Sequence, residues 1–100
     1  METNKSLESH PNFIIKHIIS DTLVDIVIST NNIDTTKAKN LLYFILRNYE
    51  YKYMTLKIIN VLDKHIYLCF NCSKPAQQDD VDYVVDYIHT TLVYNLDTII

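Results

Sequence analysis

Residues 54–71 read MTLKIINVLDKHIYLCFN, in which apolar and more polar side chains largely alternate. A period of two is that of a β-strand, because successive side chains of an extended chain point to opposite faces. The group Leu62-Asp63-Lys64 interrupts the pattern and predicts a turn. We therefore predict an antiparallel hairpin over residues 53–71. Because the turn lacks Asn-Gly and Asp-Gly, we expect a longer loop or a β-bulge.

Each strand of this hairpin has one face that is more apolar than the other. In the first strand, the more apolar set is Met54, Leu56, Ile58 and Asn60. In the second strand, we expect Ile66, Leu68 and Phe70 inside, with His65, Tyr67 and Cys69 on the other face.

Residues 12–30 allow two interpretations. Five apolar residues near the start fit one face of a short helix: Phe13, Ile14, Ile15, Ile18 and Ile19. Residues 22–30 are instead dense in β-branched side chains, which favour a strand. A single helix over residues 12–30 would leave Val24 and Ile28 off the apolar stripe. We therefore prefer a helix followed by a strand over residues 22–30.

Two later segments repeat apolar residues at helical spacing. We expect Asp34 or Thr35 to cap a helix over about residues 35–48. We expect Asp79 to cap a second helix over about residues 79–95, where carboxylates suit the positive end of the helix dipole. The apolar face of this second helix consists of Val81, Val84, Val85, Ile88 and Leu92. Residues 96–100 are expected to form a tail or a short edge strand.

These segments predict an α+β fold. A small antiparallel sheet, made of the hairpin over residues 53–71 and a strand over residues 22–30, is covered by the two helices. Residues 1–11 are polar, end in a proline and are interpreted as a flexible lead-in. Residues 12–100 then form a single domain.

The chain has no glycine among its 100 residues. Phosphate-binding loops, dinucleotide fingerprints and the Gly-x-Ser-x-Gly nucleophile turn all need glycine, so these classes of site are excluded. The histidines follow no recognisable catalytic order, and helix capping accounts for the aspartates at 79–86. We predict that the protein is not an enzyme and uses no cofactor.

Charge and hydropathy bear on location and partners. The polar start and the lack of a long apolar run predict a cytoplasmic or nuclear protein without a membrane segment. A net charge of −3 makes nucleic acid an unfavourable partner. Residues 37–74 carry seven basic and two acidic groups, whereas residues 75–100 carry five aspartates and no Lys or Arg. These blocks either neutralise each other or orient a partner.

Tyrosine is in excess, with eight copies and no tryptophan. Tyrosine combines a large apolar area with a polar tip and is enriched at protein interfaces. A domain of this size cannot bury all eight rings. The rings are assigned either to the boundary of the core or to an interface, for which the candidates are Tyr53, Tyr67, Tyr83, Tyr87 and Tyr94.

Cys69-Phe70-Asn71-Cys72 is the one short motif with metal or redox chemistry. The weak candidates for a zinc site are Cys69, Cys72, His65 and His89. Their spacing does not follow that of zinc fingers, and a free cysteine is commonly a buried structural residue. We favour the structural role and predict no metal.

The order of elements over residues 22–30, 36–47, 54–61, 65–71 and 80–95 is strand–helix–strand–strand–helix. This order resembles the small dimerising subunit of the KEOPS tRNA-modifying complex, which joins two antiparallel strands to a long closing helix. In that family the closing helix starts with an arginine-containing segment, whereas Asp79-Asp80-Val81-Asp82 stands here. No functional residue is therefore transferred. The resemblance implies a non-catalytic dimer that scaffolds an enzyme.

The leading hypothesis is a protein–protein interaction or assembly subunit that homodimerises or scaffolds a larger complex. One alternative is a small viral or parasite protein that binds a host factor, since the composition suits an AT-rich genome. Another alternative is a zinc- or thiol-dependent protein that uses Cys69 and Cys72.

Overall fold

A computed structural model describes residues 8–48, 50–51 and 53–100. The strands are β1 (Glu8–His10), β2 (Phe13–Ser20), β3 (Leu23–Thr30), β4 (Glu50–Tyr51), β5 (Met54–Leu62) and β6 (His65–Cys72). The helices are α1 (Thr35–Leu46), α2 (Gln78–Tyr94) and α3 (Leu96–Ile99). No helix within these residues is long and apolar enough to span a membrane.

The strands of the described chain form one sheet in the order β1-β2-β3-β6-β5-β4, and every neighbouring pair is antiparallel. Two hairpins, β2–β3 and β5–β6, are joined side by side through the β3–β6 pair. Helix α1 connects β3 to the second hairpin, and α2 follows β6. The predicted α+β fold is confirmed, and the sheet is larger than expected.

The helix predicted near the start of residues 12–30 is wrong, and so is the single-helix alternative. Strand β2 pairs with β3 along its whole length, from Phe13↔Thr30 to Ser20↔Leu23. The isoleucines of residues 14–19 fit both the period of a helix and the period of a strand. They occur as neighbouring pairs, which can lie on one stripe of a helix or on the two partly apolar faces of a strand. Cross-strand pairing of β-branched side chains favours the strand.

The sheet also reaches further towards the start of the chain than the predicted boundary at residue 12. Strand β1 pairs with β2 from Glu8↔Ile15 to His10↔Phe13, and the His10 ring stacks on the Phe13 ring at 4.8 Å. Part of the predicted lead-in therefore lies in the sheet, while residues 1–7 lie outside the described residues.

The chain makes its tight turns without glycine. Three described residues have positive φ, and each is an aspartate or an asparagine: Asp21 (56°), Asn32 (60°) and Asp63 (57°). These side chains tolerate the left-handed region better than other residues with a Cβ. The longer loop expected after Leu62 is absent, because Leu62 pairs directly with His65 across a two-residue turn.

A β-bulge lies in β5 instead, where the register shifts between Leu56 and Ile58. The bulge reverses which residues face the helices. Met54 and Leu56 face the core as predicted, but Ile58 is 47% exposed, and Ile59 and Val61 pack against the core in its place. The predicted inward position of Ile58 is wrong because one inserted residue shifts the two-residue alternation.

The helices are capped in different ways. The Asp34 carboxylate accepts the Lys37 backbone N–H at 3.1 Å, which confirms one of the two predicted caps of α1, and the helix ends at Leu46. In α2, the N-cap is Gln77 rather than Asp79, while Asp79 and Asp80 lie in the first turn. The expected tail or edge strand after residue 95 is the short helix α3. Its Ile99 is buried, and the Ile99 carbonyl accepts the Asp34 N–H at 2.6 Å.

The core lies between the sheet and the helices. The five apolar residues predicted for the last helix are all buried. They pack in one cluster with Ala38, Leu42 and Leu46 of α1 and with the inward side chains of the strands. Both helices therefore cover the same face of the sheet.

The positive φ of Asp63 predicts how substitutions at this position change the free energy of unfolding. We expect Asp63→Val to lower the free energy of unfolding by about 1–2 kcal/mol, because a β-branched side chain fits the left-handed region poorly. Asp63→Gly is the matched control and should stay close to the wild type. Urea unfolding measures both variants, and equal stability of the two would contradict a strained turn.

Candidate interaction surface

One face of the sheet carries no helix of the described chain. Cross-strand pairing aligns its side chains in three central rows, which we call the outer sheet face. The rows are Ile14–Ser29–His65–Leu62, Lys16–Val27–Tyr67–Asn60 and Ile18–Asp25–Cys69–Ile58. Each of these side chains is half-buried or exposed.

The outer sheet face is apolar at its margins and near its centre. Ile18 is 68% exposed on β2, and Ile58 is 47% exposed at the opposite end of the same row. The remaining large exposed apolar side chains of the face are Ile14, Leu62 and Tyr67. Single exposed apolar residues are ordinary, but several on one uncovered sheet face favour a contact surface.

The polar groups of the face surround a shallow depression of about 330 Å³. Lys16, Asp25, His65 and Tyr67 contribute to its lining. The His65 Nδ1 lies 3.1 Å from the Ser29 hydroxyl, and the His65 and Tyr67 ring centroids are 6.1 Å apart. These contacts order the side chains and leave their outward edges available to a partner.

Cys69 lies beside this depression. Partial burial raises the pKa of its thiol, and the hydrogen bond with the Asp25 carboxylate raises it further. A thiol with a raised pKa is mostly protonated near neutral pH and is a poor nucleophile or metal ligand. The raised pKa favours the structural role that the sequence predicts for Cys69.

The predicted interface tyrosines lie on two sides of the molecule. Tyr67 is part of the outer sheet face, where it is 37% exposed. Tyr83 and Tyr94 are exposed on α2, and Tyr87 packs partly against the core. Because α2 covers the opposite face of the sheet, these rings do not form one continuous surface with Tyr67.

The structure gives the fifth tyrosine, Tyr53, a capping role. Its hydroxyl donates a hydrogen bond to the Asp80 carboxylate and accepts the Gln77 backbone N–H at 3.0 Å. The Gln77 side chain makes no capping bond of its own. The Lys74 ammonium lies 4.7 Å from the centre of the Tyr53 ring. Tyr53 thus ties the start of the second hairpin to the start of α2.

The metal-site candidates are held apart. Cys69 lies on the outer sheet face, whereas Cys72, three residues along the same strand, is buried on the inner face. His65 is on the outer face, and the His89 ring on α2 packs edge-on against Phe13 at 5.4 Å. Within residues 8–48, 50–51 and 53–100, no three His, Cys, Asp or Glu side chains are grouped as metal ligands. A strand of regular alternation cannot turn both cysteines to one ion.

A second depression, of about 540 Å³, lies where β5 begins and β6 ends. Its lining includes Thr55, Lys57, Asn71 and Ser73. Hydroxyl and amide groups with a single ammonium can bind water or a small polar group.

Sequence reasoning found Tyr67 but missed the exposed isoleucines of the outer sheet face. Ile18 was placed on a helix, and Ile58 was placed inside because the bulge was not located. In β2, Phe13 and Ile15 are buried while Ile14 and Lys16 are exposed. The same alternation places Ile18 on the exposed side of the strand.

Comparisons of this chain with protein-family models, with curated proteins and with solved structures give no match. The function is therefore inferred from the surface itself.

The Tyr53 cap predicts a specific loss of stability. We expect Tyr53→Phe to lower the thermal midpoint, because it removes one hydrogen bond to the Asp80 carboxylate and the hydroxyl that accepts the Gln77 N–H. Tyr67→Phe removes the same hydroxyl from the outer sheet face and should leave the midpoint unchanged. Equal midpoints for the two variants in calorimetry would argue against the cap.

Raised pKa values predict a loss of stability in alkali. Burial raises the pKa of Cys69 and Cys72, and the hydrogen bond to Asp80 raises the pKa of Tyr53. The folded chain holds these protons more tightly than the unfolded chain does. The stabilisation is therefore complete below the ordinary pKa values of 9.0 for the thiols and 10.0 for the phenol. It is lost as the pH rises through the raised values.

Urea unfolding at a series of pH values measures this loss. The wild type should weaken steadily above the ordinary thiol pKa. A Cys69→Ser, Cys72→Ala double variant should weaken less steeply over the first part of that range, because two of the three protons are no longer linked to folding. Parallel curves for the two proteins would contradict the assignment.

Proposed function

We propose that this protein is a non-catalytic protein–protein interaction or assembly subunit that docks another polypeptide on its outer sheet face. One observation carries the proposal. Five large apolar side chains, from Ile14 to Tyr67, stay exposed on a sheet face that the described helices leave uncovered.

Physical chemistry supports a protein as the occupant. Burying apolar surface contributes about 25 cal/mol per Å², so covering these side chains favours association. Two sheets, or a sheet and a helix, pack well on a face of this kind. Its polar groups, which lie between the exposed apolar residues, can satisfy a partner's backbone and side chains.

The proposal also includes the cellular location and the kind of partner. A cytoplasmic or nuclear assembly subunit agrees with the resemblance in element order to the small dimerising subunit of the KEOPS complex. A host factor bound by a viral or parasite protein is the alternative partner, and it would use the same face. The separation of Cys69 from Cys72 gives no support to the zinc or thiol alternative.

Site-directed photo-crosslinking in the protein's native cell extract tests the function. A benzoylphenylalanine in place of Tyr67 should form covalent adducts with another polypeptide, whether a second copy or a different protein. The same probe in place of Tyr83, on the helix layer, is the matched control and should give far fewer adducts. Ile18→Glu should suppress the adducts from position 67, because it places a charge within the apolar margin.

Two results would remove this proposal. One is a position-67 probe that forms no polypeptide adduct. The other is equal labelling from positions 67 and 83, which would mean that collisions rather than docking produce the adducts.

A further inference from the structure

We infer that the outer sheet face binds the same face of a second copy, and that Lys16 of each copy pairs with Asp25 of the other. The inference rests on the proposed function and names the partner of that face. Two sheets then pack face to face across a two-fold axis.

The charges of the outer sheet face are arranged for such a contact. Lys16 on β2 and Asp25 on β3 lie in successive rows of adjacent strands, since Lys16 pairs with Val27 and Asp25 pairs with Ile18. A symmetric contact places each residue of the face against a residue of the same face. A face with one sign of charge would repel its copy, whereas this face offers both signs side by side.

One two-fold axis brings these charges together. An axis parallel to the rows, between the row of Lys16 and the row of Ile18, exchanges the two rows. Lys16 then lies over the second copy's Ile18. The second copy's Asp25 is displaced sideways by one strand, about 4.8 Å, across an inter-sheet spacing of about 10 Å. Extended lysine and aspartate side chains together span this separation, and the symmetry makes the pair twice.

Apolar residues shield one side of these pairs. Ile18 and Ile58 stand at the two ends of the row that contains Asp25, and both are exposed. In the face-to-face arrangement Ile18 of each copy packs over Lys16 of the other, beside the charged pair, while Ile58 adds apolar contact at the far end of the row. An ion pair that is partly shielded from solvent contributes more to specificity than one at an open rim.

The size of the face suits a weak dimer. Four strands about 4.8 Å apart and three rows about 6.8 Å apart span roughly 400 Å² in projection. The accessible area over the side chains is larger than this projection but stays below the roughly 800 Å² per partner of a standard interface. We therefore expect a dissociation constant of micromolar order rather than an obligate dimer.

The protein's negative charge does not oppose this approach. The acidic cluster at Asp79, Asp82 and Asp86 lies on α2, which packs against the other face of the sheet. Two copies that meet through their outer faces therefore keep these carboxylates on the far sides of the dimer. At this distance salt screens their repulsion.

Sedimentation equilibrium of the purified protein, from about 1 to 100 μM, tests the inference. The wild type should pass from monomer to dimer over this range. Lys16→Asp and Asp25→Lys should each weaken self-association by about tenfold or more, because each variant faces its own copy with like charges. An equimolar mixture of the two should regain the dimer, since opposite charges then meet at both pairs. Lys37→Asp, an equal reversal on the exposed side of α1, should behave like the wild type.

The mixture also guards against misfolding, because a misfolded variant cannot restore a dimer. A wild type that stays monomeric throughout, or a mixture that does not recover association, would overturn the second copy as partner. If position-67 probes still label a different polypeptide, only this inference is lost. If the chain is monomeric and those probes label nothing, the proposed function is lost as well.

Discussion

The fold depends on the pairing of β3 with β6. This pair joins two hairpins that are separated in sequence by a helix, and it aligns Val24 with Phe70 and Ile26 with Leu68. These four side chains are at most 2% exposed, at the centre of the covered face. An isolated hairpin is marginal in water, because it has no second layer to bury its apolar face against. The β3–β6 pair makes one sheet wide enough for both helices to pack on.

The same constraint leaves one face of the sheet bare. Helices α1 and α2 share a single hydrophobic cluster with the inward residues, so both lie on one side. No helix of the described residues packs on the opposite face of the sheet. The outward positions of four strands therefore depend on solvent or on a partner, and the apolar ones among them favour a partner. The proposed function rests on which face the described helices leave uncovered.

The two hairpins show how far sequence patterns reach. The second was predicted from alternation alone, and β6 agrees residue by residue, since His65, Tyr67 and Cys69 alternate with buried neighbours. In β5, a single bulge displaced Ile58 to the outer face, because alternation after an inserted residue is inverted. In the first hairpin, isoleucine-rich β2 suited two periods, and only its pairing with β3 decided between them. Of the candidate surface, sequence reasoning therefore identified Tyr67 and missed Ile18 and Ile58.

The sequence by itself determined the class of fold, the hairpin over residues 54–71 and the two helices, because these follow from local periodicity. The tertiary structure decided the rest. It made Tyr53 the cap of α2, although 24 residues separate Tyr53 from the Gln77 N–H that it accepts. It gathered Lys16, Asp25 and Tyr67 on one surface. The physical reason is that the environment of a strand residue is set by the strands beside it and by the layer that covers it. The residues next to it in the sequence determine neither of these.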